Sequence, residues 1–198
     1  LMIEIQNISV KFEDKQLFEN FSVSIADNQH VCFAGDSGRG KSTILKIIQA
    51  YVLPDTGKVF VNGFELIPKN IDKIRSLIAY VPQNVNLPVE NSIELLNLLG
   101  INSRQEKVRG LIRELGLPVE YFTRKFEQMS GGEKQRIIIA VCLALERKIV
   151  LMDEPTASLD LDSANKVLHL IENMRDTCFV SASHNQVWIK SADKTINL

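Results

Sequence analysis

The sequence predicts a mixed α/β fold with an antiparallel hairpin near its start and a helical insertion at residues 84–128. Apolar and polar residues alternate from Met2 to Ile8, which indicates a half-buried strand. Strand-type and helix-type segments then alternate up to residue 83 and again from residue 129, whereas β signals fade between these limits. We therefore expect residues 1–198 to form one domain with a helical subdomain at 84–128.

The first half of the chain contains five predicted strands and two predicted helices. Turn residues separate them at Pro54–Gly57 and Asn62–Gly63, and Pro82 stops the last strand. The predicted elements are strands Met2–Ile8 and Phe21–Ile25 around a turn near Phe12–Gln16, strand His30–Ala34, helix Ser42–Ile48, strand Lys58–Val61, helix Ile71–Leu77 and strand Ile78–Val81.

The second half begins with the insertion and then returns to α/β alternation. Apolar residues at helical spacing predict helices Val89–Leu99 and Ser103–Leu115. The following elements are helix Glu133–Leu145, strand Ile149–Asp153, helix Leu161–Asn173, strand Thr177–Ser181 and strand Lys194–Leu198.

Composition excludes several classes of protein. A net charge of −1 gives no basis for nucleic-acid binding, so no nucleic-acid partner is expected. The three cysteines lie in apolar runs without metal-site spacing, which is typical of buried free thiols in a reducing compartment. The longest apolar run, Ile137–Leu145, is too short to cross a bilayer, and no signal peptide is recognisable.

A phosphate-binding loop lies between strand His30–Ala34 and the following helix. It fits G-x-x-x-x-G-K-[ST], in which glycines let successive backbone N–H groups point into one concavity. Lysine adds a positive charge and serine can bind Mg²⁺. A chance match in a Gly-rich turn is the alternative, but the strand–loop–helix context favours nucleotide binding by Gly35, Asp36, Ser37, Gly38, Arg39, Gly40, Lys41, Ser42 and Thr43.

Two carboxylates end the strand that begins near Ile149. Beside a phosphate loop, Asp153 can hold Mg²⁺ through water and Glu154 can reach an attacking water. A solvated acidic pair at a strand end is the alternative for this motif taken alone.

A second anion-binding pattern precedes the helix at Glu133. Ser130 is a good N-cap, and Gly131 and Gly132 expose backbone N–H groups at the positive end of the helix. One phosphate loop does not need this second site, so the pattern suggests a nucleotide shared between two chains.

The order of these motifs resembles the nucleotide-binding domain of the ATP-binding cassette (ABC) family over essentially the whole chain. The phosphate loop is followed by a Q-loop glutamine, a signature, Walker B with its glutamate, a D-loop and a switch histidine. These correspond to Gln83, Met129–Glu133, Asp153 with Glu154, Ala157–Asp160, and His184. The signature departs from the usual pattern at Met129 and Glu133, which stand where many members have Leu and Gln.

The resemblance implies ATP and Mg²⁺ as ligands, on a P-loop NTPase core of RecA-like type with an antiparallel β subdomain. It implies catalytic roles for Glu154, His184, Gln83 and Lys41, and Mg²⁺ binding by Ser42, Gln83 and Asp153. Phe12 would stack on adenine, although it can also be an ordinary packing aromatic. Nucleotide contacts from a second copy would come from Ser130, Gly131, Gly132, Glu133 and Asp160.

The resemblance also implies a head-to-tail dimer and a separate transmembrane permease, which in this family selects the substrate. The chain would then be cytoplasmic and peripheral on the cytoplasmic face of the membrane. A soluble ABC ATPase of a non-transport machine, such as iron–sulfur assembly, is the alternative; a module that binds without hydrolysing is disfavoured by Glu154 and His184. Apolar residues from Val85 to Leu99 would either dock the permease or pack within the insertion.

Overall fold

A computed structural model describes residues 1–12 and 15–198, without the side chains of residues 12 and 15. This part of the chain contains two β-sheets and seven α-helices. One sheet is antiparallel and the other is parallel, which confirms the predicted α/β class. Within the described residues, no helix is long and apolar enough to span a membrane.

The antiparallel sheet has the order β2-β1-β4-β5. Its strands are β1 (Ile3–Phe12), β2 (Lys15–Ile25), β4 (Thr56–Val61) and β5 (Phe64–Glu65). The first two strands run well past the predicted limits. Their register shifts between Ile5 and Ile8, where Asn7 has a left-handed backbone with φ 48°. Such a bulge breaks the alternation of apolar and polar residues, so the strand continues where the sequence pattern stops.

The parallel sheet has the order β6-β7-β8-β3-β9 and positions the functional residues. Its strands are β3 (His30–Ala34), β6 (Ile78–Val81), β7 (Ile149–Asp153), β8 (Cys178–Ser183) and β9 (Lys194–Asn197). Every residue of β3, β7 and β8 is buried. Burial on both faces explains why these strands read as continuous apolar runs. Cys32 and Cys178 lie in these strands and Cys142 lies in a helix, and all three are buried free thiols, as predicted.

Helices cover the parallel sheet and form the insertion. The first two are α1 (Lys41–Ile48) and α2 (Ile71–Ser76). In the insertion lie α3 (Ser92–Leu98), α4 (Gln105–Glu114) and short 3₁₀ turns. Helix α3 begins later than predicted because the Asn91 side chain accepts a hydrogen bond from the Glu94 N–H and so fixes the helix start.

Three helices follow the insertion: α5 (Gly131–Ala144), α6 (Leu161–Asn173) and α7 (Gln186–Ser191). The short helix α7 and the two-residue strand β5 were not predicted from the sequence. Helix α7 is capped by Asn185, whose side chain accepts hydrogen bonds from Val187 and Trp188. It buries Trp188 completely, so one large aromatic residue anchors a helix too short for a periodic pattern.

His30 belongs to a buried cluster at the amino end of the parallel sheet. Its ring lies edge-on to Trp188, with 5.6 Å between ring centroids, and its Nε2 is 3.2 Å from the Ser181 hydroxyl oxygen. The Trp188 indole N–H donates to the same oxygen at 2.9 Å. Burial lowers the pKa of His30 to about 4, although the negative charge of Asp193 opposes this shift. His30 is therefore a neutral structural residue at pH 7.

The lowered pKa of His30 predicts a pH-dependent stability. An unfolded histidine has a pKa near 6.5, so the unfolded chain binds more protons than the folded chain between pH 6.5 and 4, and stability falls as the pH drops through this window. Between pH 7.5 and 5 the loss from this group is about 2 kcal/mol. The free energy of unfolding of His30→Gln, measured with denaturant, should therefore fall by about 2 kcal/mol less than that of the wild type between these two pH values.

The control is His169→Gln, because His169 is exposed on α6. This variant should keep the pH dependence of the wild type. An unchanged pH dependence in His30→Gln would contradict the assignment of His30 as a neutral buried group.

Candidate nucleotide-binding site

A cleft of about 450 Å³ lies at the carboxyl ends of the parallel strands. The phosphate-binding loop follows β3, Gln83 follows β6, Glu154 follows β7 and His184 follows β8. Because these strands are parallel, residues distant in sequence meet at one edge of the sheet. The cleft is lined by Leu17, Asp36, Ser37, Gly38, Gly40, Lys41, Ser42, Thr43, Gln83, Glu154 and His184.

The backbone of the loop requires glycine at position 40. Gly40 caps α1 with φ 94°, and a Cβ atom there would lie 2.5 Å from the Phe18 ring. Any larger residue would be strained and would also collide with β2. Glycine thus lets the loop pass tightly into α1, whose N-terminus faces the cleft and favours anions.

The Lys41 side chain is held under the loop. Its ammonium donates to the carbonyl oxygens of Gly35 at 2.7 Å and Asp36 at 3.0 Å. It also lies 3.7 Å from Oε1 of Glu154, and Lys41 is only 7% exposed. The positive charge is therefore fixed at the floor of the cleft, where phosphate oxygens would meet it.

Oxygen atoms suited to Mg²⁺ lie next to the loop. The Ser42 hydroxyl donates to Oδ1 of buried Asp153 at 2.9 Å, and the Tyr80 hydroxyl donates to Oδ2 at 3.4 Å. Burial raises the pKa of Asp153 above its usual value, although the bond from Ser42 opposes this. Among the described residues, no cluster of three or more His, Cys, Asp or Glu side chains is arranged to hold a metal. One carboxylate and one hydroxyl fit Mg²⁺, which takes its remaining ligands from phosphates and water.

The Glu154 carboxylate is placed by three neighbouring groups. Its Oε2 lies 3.0 Å from Nδ1 of His184 and accepts long hydrogen bonds of 3.4 Å from the Ser183 hydroxyl and the His184 N–H. Glu154 is 8% exposed, and its backbone is left-handed with φ 45°. A carboxylate held at the cleft wall by a histidine is arranged to accept a proton from water.

The second predicted anion site forms a separate cleft of about 410 Å³. It is lined by Ser130, Gly131, Gly132, Arg136, Ser158, Leu159, Asp160 and Ser163, none of which lines the first cleft. The Ser130 side chain accepts from the Glu133 N–H, and Glu133 accepts from the Ser130 N–H and the Tyr121 hydroxyl. The predicted N-cap is present, and the Glu133 carboxylate is held in place by its hydrogen bond from the Ser130 N–H.

Glycine at position 132 has a packing reason. A Cβ atom there would lie 2.5 Å from the backbone carbonyl oxygen of Ser158. The start of α5 therefore approaches the loop before α6 more closely than any other residue would allow. Asp160 in that loop caps α6 by accepting from the Ser163 N–H at 2.7 Å, and this bond lowers the pKa of Asp160.

Most predicted residues of the phosphate site lie in or directly behind the cleft. Arg39 is exposed on the loop and does not line it, and Gly35 contributes its carbonyl to Lys41. The predicted adenine contact falls on Phe12, whose side chain lies outside the described residues.

Three contributors had not been predicted: Leu17, which lines the cleft, Tyr80, which binds Asp153, and Ser183, which binds Glu154. Tyr80 and Ser183 are close in sequence to Gln83 and His184, and this proximity was the only signal that pointed to them. Leu17 carried no signal, because its place in the cleft depends on how β2 packs against the loop.

Comparisons with known proteins agree with this geometry. A family model described as "ABC transporter" matches residues 18–157. The energy-coupling factor transporter ATP-binding protein EcfA1 of Ligilactobacillus salivarius is 32% identical over 210 residues, which covers 100% of this chain and 74% of the relative. The phosphonates import ATP-binding protein PhnC 1 of Nostoc sp. is 34% identical over 207 residues, covering 93% of this chain and 78% of the relative.

Solved structures show the same fold. The ATP-binding cassette MJ0796, in a dimeric post-hydrolysis state bound to ADP and Pi, matches with a TM-score of 0.87 and 25% identity. The match covers 100% of this chain and 94% of that chain.

The position of Lys41 predicts the effect of removing its charge. Lys41→Ala should weaken ATP binding by about tenfold to a hundredfold, because charge-assisted hydrogen bonds contribute roughly 1.5–3 kcal/mol. Isothermal titration calorimetry measures this directly. Lys148→Ala makes the same charge change before β7, at the opposite end of that strand from Asp153, and should bind ATP like the wild type. Unchanged affinity in Lys41→Ala would contradict the phosphate-loop assignment.

Proposed function

The chain belongs to the ABC transporter family and is an ATP-binding, ATP-hydrolysing subunit that powers a membrane transporter; we propose that two copies close head-to-tail around two ATP molecules to do so. One observation carries this proposal. The cleft at the phosphate-binding loop (the phosphate cleft) and the cleft at Ser130–Gly132 (the signature cleft) share no lining residue within a chain. Phosphates bound at the first cleft would meet a signature cleft when a second chain supplies it.

The anion-binding chemistry of the signature supports this arrangement. Ser130 and the backbone N–H groups at the start of α5 form the positive end of a helix. The Glu133 carboxylate of its first turn is bonded to the Ser130 N–H and does not line the cleft, whose one acidic lining residue is Asp160, the cap of α6. A terminal phosphate held by Lys41 of one chain and by the signature of the other would join the two chains. Without nucleotide, these polar surfaces lack their ligand, and we expect a monomer.

The residues around Lys41 perform phosphoryl transfer mainly by positioning and by neutralising charge. Lys41 and the N–H groups of its loop bind the phosphates, and Glu154 accepts a proton from the attacking water. His184 orients Glu154 through Nδ1 and lines the cleft, where it can reach the terminal phosphate. Ser42, Asp153 and Gln83 would hold Mg²⁺, which neutralises phosphate charge when bound.

Glu154→Gln tests the role of the carboxylate and the dimer together. Glutamine keeps the size of the side chain but cannot take a proton, so hydrolysis should fall by about 10²–10⁴. ATP should still bind, and dimers should accumulate because they open only after hydrolysis. Light scattering with and without ATP measures this accumulation.

Glu172→Gln serves as the control, because Glu172 is exposed on α6 away from both clefts. It should hydrolyse ATP normally and accumulate no dimer. If Glu154→Gln binds ATP yet stays monomeric, the head-to-tail arrangement is wrong for the isolated chain.

The non-transport alternative is not favoured. The relatives described above are named for transport, in energy-coupling factor and phosphonate systems. The described part of the chain also offers a groove suited to a membrane partner beside Gln83.

That groove, of about 250 Å³, is the docking surface that we propose for a cytosolic helix of the permease. It is lined by Val85, Asn86, Leu87, Val89, Glu90, Lys125, Phe126, Glu127 and Lys134. An apolar floor with charged groups at the rim suits the apolar face of an amphipathic helix. Lys125 and Glu90 form an ion pair of 2.8 Å across the rim.

The apolar residues of α3 divide between the two roles considered from the sequence. Leu95 and Leu96 are buried and pack inside the insertion. Leu98 and Leu99 are exposed near the end of α3, with Leu98 at 64%, and are available to a partner. Gln83 lines the phosphate cleft and lies two residues before Val85, so closure around ATP would also move the residues that line the groove.

Leu87→Glu tests the groove. A carboxylate on the apolar floor should abolish association with the permease, measured by co-purification from detergent-solubilised membranes. Basal ATP hydrolysis by the isolated chain should survive, since Leu87 lies outside the phosphate cleft.

Leu53→Glu introduces the same charge at an exposed leucine outside the groove and should keep both properties. Loss of both properties in Leu87→Glu would identify a folding position, and retention of both would place the dock elsewhere.

A further inference from the structure

Helix α5 covers the free edge of the parallel sheet. Strand β6 is the last strand on its side and pairs only with β7. The carbonyl of Leu77 accepts a hydrogen bond from Ile149 on β7, so the carbonyls of Tyr80 and Pro82 point to the opposite, unpaired edge. Two side chains of α5 reach them: the Cys142 thiol at Tyr80 and the Gln135 amide at Pro82.

Gln135 is the polar member of this pair. It is only 3% exposed, and its Nε2 donates to the Pro82 carbonyl at 3.3 Å. Gln135 and Cys142 are seven residues apart, which places them on the same face of the helix. A buried amide rarely lacks a partner, so this bond holds Gln135 where it is.

The bond joins two motifs that serve different nucleotides in the proposed dimer. Pro82 directly precedes Gln83, which lines the phosphate cleft of its own chain. Gln135 lies one turn after Gly131, at the end of α5 that carries the signature toward the partner's nucleotide. The Pro82 carbonyl and the Gln83 nitrogen belong to one planar peptide unit, so a shift of the Gln83 backbone also moves the Pro82 carbonyl.

We propose that Gln135 is a positioning residue that links occupancy of a chain's own phosphate cleft to the placement of its signature. This rests on the proposed head-to-tail dimer. When Gln83 is drawn toward bound phosphate and Mg²⁺, the amide of Gln135 carries the start of α5 with it. ATP binding to one chain thereby prepares that chain to close on the ATP of its partner.

The test compares ATP-driven dimerisation of the full chain carrying Glu154→Gln with and without Gln135→Leu. Leucine removes the donor and nearly keeps the volume. We expect the ATP concentration for half-maximal dimerisation, followed by light scattering, to rise at least about fivefold. ATP affinity, measured by fluorescence at protein concentrations too low for dimers, should change less than about twofold. Gln135→Asn, which is too short to reach Pro82, gives the same result if the leucine variant does not fold.

A double-mutant cycle with Gln83→Ala separates this link from a merely structural bond. The effect of Gln135→Leu should disappear once Gln83 is alanine, because the link then has nothing to transmit. Cys142→Ala provides the matched control, since it removes the neighbouring bond from α5 to β6 and should shift dimerisation less than twofold.

Two outcomes overturn the inference while leaving the proposed function intact. In the first, Glu154→Gln dimerises with ATP, and adding Gln135→Leu leaves the ATP concentration for half-maximal dimerisation unchanged. In the second, the shift is equally large with Gln83 and with alanine at that position. Failure of Glu154→Gln alone to dimerise would instead overturn the head-to-tail proposal on which the link depends.

Discussion

The Lys41 ammonium is a buried charge, and the cleft is organised around the three oxygens that surround it. Two are carbonyls of its own loop and the third belongs to Glu154. A buried charge without such partners would be strongly destabilising. Holding the ammonium therefore fixes the path of the loop, the start of α1 and the position of the Glu154 carboxylate at the same time.

The direction of the parallel strands extends this order across the sheet. Asp153 and Glu154 end β7 beside the loop that follows β3, and β8 between them brings Ser183 and His184 to the same edge. Each of these side chains is placed by a buried strand that cannot slide, because its neighbours on both sides are hydrogen-bonded to it. The site is thus as rigid as the core beneath it, while the Gln83 loop and α5 connect it to the insertion.

Much of this arrangement could be predicted from the sequence because its motifs are local. The phosphate loop, the acidic pair after β7 and the Ser130 cap each depend on a few adjacent residues and on the element that follows. Features that depend on packing were missed. Helix α7 has too few turns for a periodic pattern, the bulge at Asn7 hides the full length of β1, and the position of Leu17 in the cleft follows from how β2 meets the loop.

The bonds from Tyr80 and Gln135 belong to the same class, because they join residues 73 and 53 positions apart. No single-sequence pattern encodes such pairs. They become visible only when the order of the strands in the sheet is known, since that order decides which carbonyls are left unpaired and which helix reaches them.

The left-handed backbone of Glu154 affects how the protein would respond to selection for heat resistance. A non-glycine residue in this region costs about 1 kcal/mol, and glycine would relieve that strain. Glycine would also remove the carboxylate beside the buried Lys41 ammonium, and that loss costs more than the strain, so libraries screened for melting temperature should retain glutamate at this position. Libraries intended to yield a thermostable working subunit should keep position 154 fixed and vary the surface of the antiparallel sheet instead.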